Sequence, residues 1–565
     1  MNGPSQEIDQ KNLISAIALS VGILMIWQYF NPPPPPVDAP PGAAVVQTQD
    51  VVGQNNQPAA EPSTAPASVA SIKQEAPLES HVVENALQQV TLTNRNRTIK
   101  NWVLKNTQYA SKTEGEPDQL LELVSGQLGA KIHSGFSSPE LKITVNGKAR
   151  ELSYTMRSKT GEELTMDWTD SESNLKVERR LLMTNEHHRL DTELVLRNNG
   201  SAPVSYGVNV VLSGVQDDEN AKGSMFMPPL HMYESLCKTN GDFERLLGSD
   251  ITENVADGDP NTFTKDVSWA GIGTRYFLTA VYSPDGALTS CASSVEPPKQ
   301  GFTRFTNLVG IGDGLLQPGE TITRKYSVFM GPKKLSELSS GVVSLEDAID
   351  FGMFHVMCKP MLWFMHFFFE FVANWGIAII LLTLLVKLIT MPLTIKQYRS
   401  MAAMKTVQPE LKKLQEKYKD DKMRLQQEMM KLYKENQVNP LAGCLPMVIM
   451  MPIYFALYRT IYSAVELYQA PFGLWLTDLS VEDPTYITPL LLGVLMLIQM
   501  KLNPSAGDQT QQKVIMYVMP VMFTGMMLFL PSGLVIYILV NTVLGIVQQF
   551  YMYRKQGLIA SKALG

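Results

Sequence analysis

Hydrophobic and polar positions change their spacing twice along this chain, and each change predicts a different kind of element. The first apolar run, "LISAIALSVGILMIWQYF" at 13–30, holds eighteen uncharged residues after Lys11. As a helix it would span about 27 Å, enough for a hydrocarbon core of about 30 Å. It is long for the apolar core of a cleaved signal, and no A-x-A cleavage site follows it before the proline block, so 1–30 is expected to be a cytoplasmic end and signal-anchor span. From 81 to 340 the period is two. "VSYGVNVVL" puts Val204, Tyr206, Val208 and Val210 on one face, "LDTELVLRN" alternates likewise, and Gly, Asn, Asp and Pro punctuate the runs. That pattern predicts a soluble, all-β antiparallel sandwich.

After Leu345 the period lengthens to that of helices. Residues 341–370 mix charges with many aromatics, as in an amphipathic helix lying in the membrane interface. Apolar runs then predict spans at 371–395, 439–462, 485–502, 514–530 and 533–553. The last two form one stretch of forty uncharged residues, about 60 Å of helix, which must fold back at "PSG", 531–533. With the anchor, that makes six spans, several of them short enough to imply a locally thinned bilayer. Residues 31–80, with eleven prolines and few large apolar residues, read as an extended linker.

Charge orients these elements. Residues 396–434 carry eleven Lys+Arg against five Asp+Glu, whereas 460–485 carry four acids and no base. The positive-inside rule places 396–438 and the loop 503–513 in the cytoplasm and 463–484 outside. Both termini, including the tail 554–565, then lie inside and the sandwich outside. Within the basic loop, Met401, Met404, Val407, Leu411, Leu414 and Tyr418 recur every three or four residues, and Met423–Tyr433 resumes the pattern after "KDDK". An antiparallel helical hairpin is expected, either a plain connector or a docking arm for anionic headgroups, ribosomal RNA or an emerging chain.

Composition excludes several chemistries. Residues 31–340 hold 28 Lys+Arg and 37 Asp+Glu, so the outer region is acidic; that modest acidity says little about nucleic acid, and no DNA partner is expected. All seven histidines lie at or before His366, and no Asp or Glu falls within the last five spans. Neither an intramembrane protease nor a proton-coupled carrier has its usual groups, phosphate-cradling glycine motifs are absent, and no enzyme activity or cofactor is expected. The four cysteines lack metal spacing. Cys237 and Cys291 alone share a domain, so one disulfide is allowed and none is required. Sixteen of the thirty methionines lie between 391 and 530, as core filler or as a surface adaptable to many apolar partners.

Lys387 stands out. Sixteen uncharged residues precede it and eight follow, and a charge at mid-bilayer costs about 2.5–3.5 kcal/mol on insertion scales. It shares a helix face with Thr383 and Thr390. Tyr537, Asn541, Gly545 and Gln548 share a face of the last span, Tyr454, Tyr458 and Tyr462 one of the third, and Gln499 adds an amide in the fourth. Polar groups in lipid must face one another or water, so these stripes predict a shared hydrophilic groove. The plainer readings are a snorkelling lysine and ordinary tyrosine packing.

The stretch "MPLTIKQYRSMAAMKTVQPELKKLQEKYKDDKMRLQQEMMKLYKENQVNPLAGCLPMVIMMPIYFALYR", with "APFGLWLTDLSVEDPTYITPLLLG" and "PSGLVIYILVNTVLGIVQQ", resembles the YidC-type membrane protein insertases, relatives of the Oxa and Alb proteins. The anchor, linker and outer sandwich resemble the Gram-negative branch, whose periplasmic sandwich is sugar-mutarotase-like and largely dispensable for insertion. The resemblance implies a polytopic bacterial inner-membrane protein with a five-helix core and a groove open to cytoplasm and lipid. It also implies a role as insertase and chaperone for nascent and newly made membrane proteins, alone or with the Sec translocon and its accessory subunits, with transient ribosome contact and anionic phospholipid around it. The groove residues would be Lys387, Thr383, Thr390, Gln499, Tyr537, Asn541 and Gln548. Lys387 stands where the family usually has arginine, Ile538 where a second tyrosine is common, and Met450 where a glutamine is common. A small-solute channel or carrier, or a periplasmic ligand-binding receptor, are the alternatives, and deleting residues 81–330 should disable a receptor while sparing an insertase.

Overall fold

The computed structural model describes residues 78–555 except 96–97, 111–118, 125–134, 185–186, 219–231, 287, 300, 419–420, 437–444, 503–516 and 518. The anchor, the linker before 78 and the tail after 555 therefore lie outside the described residues.

Residues 80–332 form nineteen described strands in three antiparallel sheets. A nine-stranded sheet runs from Phe243–Leu246 at one edge through Phe277–Tyr282 and Arg189–Asn198 to Thr155–Lys159 at the other. It is stacked on a six-stranded sheet centred on Val204–Asp217 and Phe302–Leu316, and a four-stranded sheet (80–124) completes the β domain. Val204, Tyr206, Val208 and Val210 are all buried, as their alternation predicted. The two larger sheets are joined through their core by the Cys237–Cys291 disulfide and by Asn307, whose amide donates to Ser235 Oγ, Leu236 O and Gly271 O at 3.1–3.2 Å. The disulfide left open by cysteine spacing is thus formed.

Strand Phe277–Tyr282 is buried along its whole length. One face lies in the sandwich core; the other, with Leu278, Ala280 and Tyr282, packs on the helical region. A strand covered on both faces loses alternation and reads as a continuous apolar run.

Helices α1 (Gly248–Ala256) and α2 (Leu335–Leu338) belong to the β domain and its exit. Helix α3 (His355–Val372) is the aromatic amphipathic segment and leaves Trp363 and Phe371 exposed. Ala373, in the left-handed conformation, closes it, and Asn374 caps the next helix by accepting from Ile377 N at 3.0 Å. That helix, α4 (Trp375–Lys417), departs from expectation: the span and the first arm of the basic hairpin are one continuous 43-residue helix. Pro392 and Pro409 lie within it, each removing one backbone donor, but residues 396–417 are strong helix formers and carry the helix through. Asp421 then caps α5 (Lys422–Glu435), and Val407, Leu411 and Leu432 seal the hairpin.

Helices α6 (Leu445–Ser463), α7 (Ile487–Leu502), α8 (Met519–Met527) and α9 (Ser532–Lys555) complete the bundle. Among the described residues, two helical stretches are long and apolar enough to cross a bilayer, Trp375–Ser400 and Ser532–Arg554. α7 is apolar but has only 16 residues, so among the described residues two long apolar helices and shorter ones stand at the expected spans, and the anchor lies outside them.

The β domain is not merely tethered. After α6 the chain turns and places Val465 and Tyr468 in the sandwich core, where Tyr468 meets Tyr276 (centroids 5.2 Å) and Phe277 (5.4 Å). Gln108 donates to the carbonyls of Glu466 and Tyr468, and Arg275 donates to Tyr462 O at 2.6 Å while lying 3.4 Å from its ring. Asp350 pairs with Arg459 on α6.

Candidate functional site: a polar node between three helices

Helices α4, α7 and α9 bring Lys387, Gln499 and Gly545 together. A Cβ built on Gly545 would lie 3.2 Å from Gln499 Nε2, 3.8 Å from Lys387 Nζ and 3.9 Å from the Tyr398 hydroxyl. A side chain on α9 at this position would press on the amide and take up part of the space beside the ammonium. Tyr398, eleven residues beyond Lys387 on α4, donates to Gly545 O at 3.1 Å and so ties the two helices at the node. Lys387 makes no hydrogen bond or ion pair with any described residue, and neither does Gln499. The node therefore combines an unpartnered cation with an unpartnered amide, and no described carboxylate balances the charge.

The remaining predicted residues distribute unevenly. Thr383 is 1% exposed and donates to Ile379 O at 2.7 Å; Thr390 donates to Val386 O at 2.8 Å. Both hydroxyls are satisfied on their own helix, the usual arrangement for threonine in an apolar helix, and offer the node little. Tyr537 is 5% exposed within the apolar cluster of the bundle. Asn541 lies within hydrogen-bonding reach of Tyr454 on α6, extending the polar line from the node. Gln548 holds its amide oxygen buried and without a hydrogen-bond partner. The tyrosines at 454, 458 and 462 do not act together: Tyr458 stacks on Tyr462 (5.7 Å, 18°), which in turn meets Arg275 of the β domain. Tyr398, Tyr454 and Gly545 were missing from the predicted groove set. Gly545 and Tyr454 did share faces with polar positions, but Tyr398 carried no signal because it sits past the apolar run.

Two donors without acceptors, the Lys387 ammonium and the Gln499 amide, beside a glycine can receive an anionic or strongly polar group from outside the chain. Among the described residues no cluster of His, Cys, Asp or Glu suits a metal ion.

Two family models match: "60Kd inner membrane protein" over residues 367–558 and "YidC periplasmic domain" over residues 80–364. The chain is 34% identical over 564 residues to the membrane protein insertase YidC of Syntrophus aciditrophicus (strain SB), covering 97% of this chain and 100% of that one. It is 34% identical over 469 residues to the membrane protein insertase YidC of Geobacter sulfurreducens, covering 82% and 84%. A crystal structure of an active YidC insertase with its first transmembrane domain resolved aligns with 85% of this chain and 95% of that one, at 16% identity and a TM-score of 0.37. The chain belongs to the YidC family of membrane protein insertases.

Proposed function

We propose that this insertase receives the polar or acidic segment of a client at the Lys387 node while the client's apolar helix partitions into lipid. The unpartnered ammonium of Lys387 in the middle of an apolar helix carries this reading. A client carboxylate 4 Å from Lys387 would gain about 4 kcal/mol at an effective dielectric near 20, offsetting much of its cost at depth. Gln499, whose amide reaches the same spot, supplies a second donor where lysine lacks the two-pronged fork of arginine. Asn541 and Gln548 continue the polar path, whereas Thr383, Thr390 and Tyr537 support it by packing. No covalent chemistry is involved. Partitioning of the client's apolar segment drives the process, aided by the membrane potential at about 2.3 kcal/mol per charge per 100 mV.

The topology that accompanies this function has six spans, both termini in the cytoplasm and the β domain in the periplasm. The basic hairpin α4–α5 then faces the ribosome and anionic phospholipid on the cytoplasmic side, and the Sec translocon is a partner for larger clients. Protease protection of a tagged single-span client with an acidic tail tests the node. Lys387→Glu is expected to abolish protection and Lys387→Arg to preserve it; full protection with Lys387→Glu would defeat the reading.

A further inference from the structure

Between α6 and α7 the chain makes a tight turn whose tip is apolar. Phe472 N and Gly473 N donate to Leu476 O at 3.0 and 3.3 Å, and Leu476 N donates back to Gly473 O at 3.1 Å. Leu474 stands at the tip in the left-handed conformation, φ +56°, where glycine is the unstrained choice. It is 88% exposed, more than any other large apolar side chain among the described residues. The stem below it is well tied. The Asp478 carboxylate accepts from Gln469 N and from the backbone and hydroxyl of Ser480 at 2.7–3.0 Å. Leu479 N donates to Ala470 O at 2.9 Å, and the Ser532 hydroxyl at the start of α9 donates to Asp478 O at 2.8 Å. Ala470, Leu476 and Leu479 are buried in the apolar cluster of the helices. A fixed stem thus holds a strained leucine outward.

The level of the turn along the bundle is set by α4. Asn374 Nδ2 donates to Phe472 O at 3.0 Å, and the Phe472 ring lies so close to Gly376 that a Cβ there would meet it at 2.1 Å. That contact falls in the first turn of the apolar stretch Trp375–Ser400, at its β-domain end, because Val465 and Tyr468 just before the turn enter the sandwich core. Leu474 stays exposed with the β domain in place, and Phe371, three residues before Asn374, is 73% exposed. No charged residue lies between Glu466 and Asp478. Turn tips that meet water usually take Gly, Asn, Asp or Ser, which tolerate the conformation and stay hydrated. A leucine at the same place gains only by leaving water, and at the mouth of a membrane span the apolar medium at hand is lipid. The Lys387 node lies about 18 Å further along α4, so a polar client segment held there does not cover the tip. We propose that the turn 472–475 is a lipid anchor, with Leu474 inserted below the headgroups of the leaflet on the β-domain side. It fixes the level of the bundle in the bilayer, independently of what the node receives.

The test uses the full chain in vesicles of phosphatidylethanolamine and phosphatidylglycerol, with Cys358→Ala and Cys444→Ala leaving Cys237 and Cys291 in their disulfide. A nitroxide on Leu474→Cys should relax several-fold more strongly with dissolved oxygen than with a water-soluble nickel chelate. One on Lys148→Cys, in an exposed hairpin of the β domain, should show the reverse. Nickel access at Leu474→Cys equal to that at Lys148→Cys would mean a tip in water. Protection from both probes would mean a tip covered by protein, a client or a second copy of the chain. Either result overturns the proposal. Leu474→Asp alters only an exposed side chain in a conformation aspartate tolerates. It should expel the tip from lipid and raise amide exchange of residues 470–476 several-fold in the bilayer, and unchanged exchange would be equally fatal.

Discussion

Lys333 and Lys387 are both lysines set away from bulk solvent, one in the β domain and one in a membrane helix, and their surroundings are opposite. Lys333 is 3% exposed and its Nζ lies 2.7 Å from Glu234 Oε1, while Glu234 also pairs with Arg245. Burial works to raise the Glu234 carboxyl, but Lys333 and Arg245 more than reverse it and hold the group below the usual carboxylate range. Lys387 has nothing of the kind. Lys333 is held by its counter-charge, and breaking such a buried pair costs about 3–5 kcal/mol. A cation left alone in a span must be met by something that arrives. The first arrangement builds structure and the second leaves a site.

Crossing the two lysines gives the largest expected effect. Lys387→Met should lower insertion of an acidic-tailed client by about tenfold or more while leaving the unfolding midpoint unchanged or raised. Glu234→Gln should do the reverse: about 3–5 kcal/mol lost in denaturant unfolding of the β domain, with insertion falling only as folded protein is lost. If Lys387→Met proved strongly destabilising instead, the lysine would be structural and the contrast would fail. Gly545→Val comes next. Its side chain would press on the amide of Gln499 and the ammonium of Lys387, and a several-fold loss of insertion is expected in vesicles without loss of protein from the membrane.

A smaller effect separates the two regions by pH. Asp483, before α7, is almost fully buried; burial works against its charge, but hydrogen bonds from the backbone and hydroxyls of Thr488 and Thr485 bring its carboxyl down to about 2. A carboxyl lowered in the folded state stabilises above its unfolded value, about 3.9, and loses that contribution as pH falls toward 2. Hydrogen exchange at the start of α7 should rise across that window, and Asp483→Ala should show the faster exchange already at neutral pH, equivalent to about 1 kcal/mol. Smallest is Arg275→Met. It removes the stacking on Tyr462 and should loosen residues 465–469 by about 1 kcal/mol in hydrogen exchange, with insertion unchanged.

Deleting residues 81–330 is a poorer separator of functions than the chain alone suggests. Val465 and Tyr468 belong to the sandwich core, and the outer face of strand Phe277–Tyr282 covers the helical region, so the deletion uncovers apolar surface on both sides of the junction. Point variants at Arg275 or Gln108 probe the domain's contribution without that damage.

Alternation along Val204–Val210 was enough to announce a sandwich, because a half-buried strand must alternate. Lys387 was legible for a similar reason, since a charge inside an apolar run is conspicuous wherever it lands. Thr383 and Thr390 show the limit: a shared helix face says where a hydroxyl points, not that it has already bonded to the carbonyl one turn back. The continuity of α4 through Pro392 was also hidden, because proline marks a helix end in most settings, whereas here the helix formers beyond it carry the helix on.

Sequence by itself determined the two regions, the membrane helices' apolar faces and the lone cation, since these depend on periodicity and on the cost of placing charge in lipid. Tertiary structure alone decided that Gln499, Tyr398 and Gly545 meet Lys387, that Lys333 is paired with Glu234, and that Tyr468 belongs to the sandwich. Each is a contact between elements distant along the chain, and spacing within one helix or strand carries no information about which face of another it will meet.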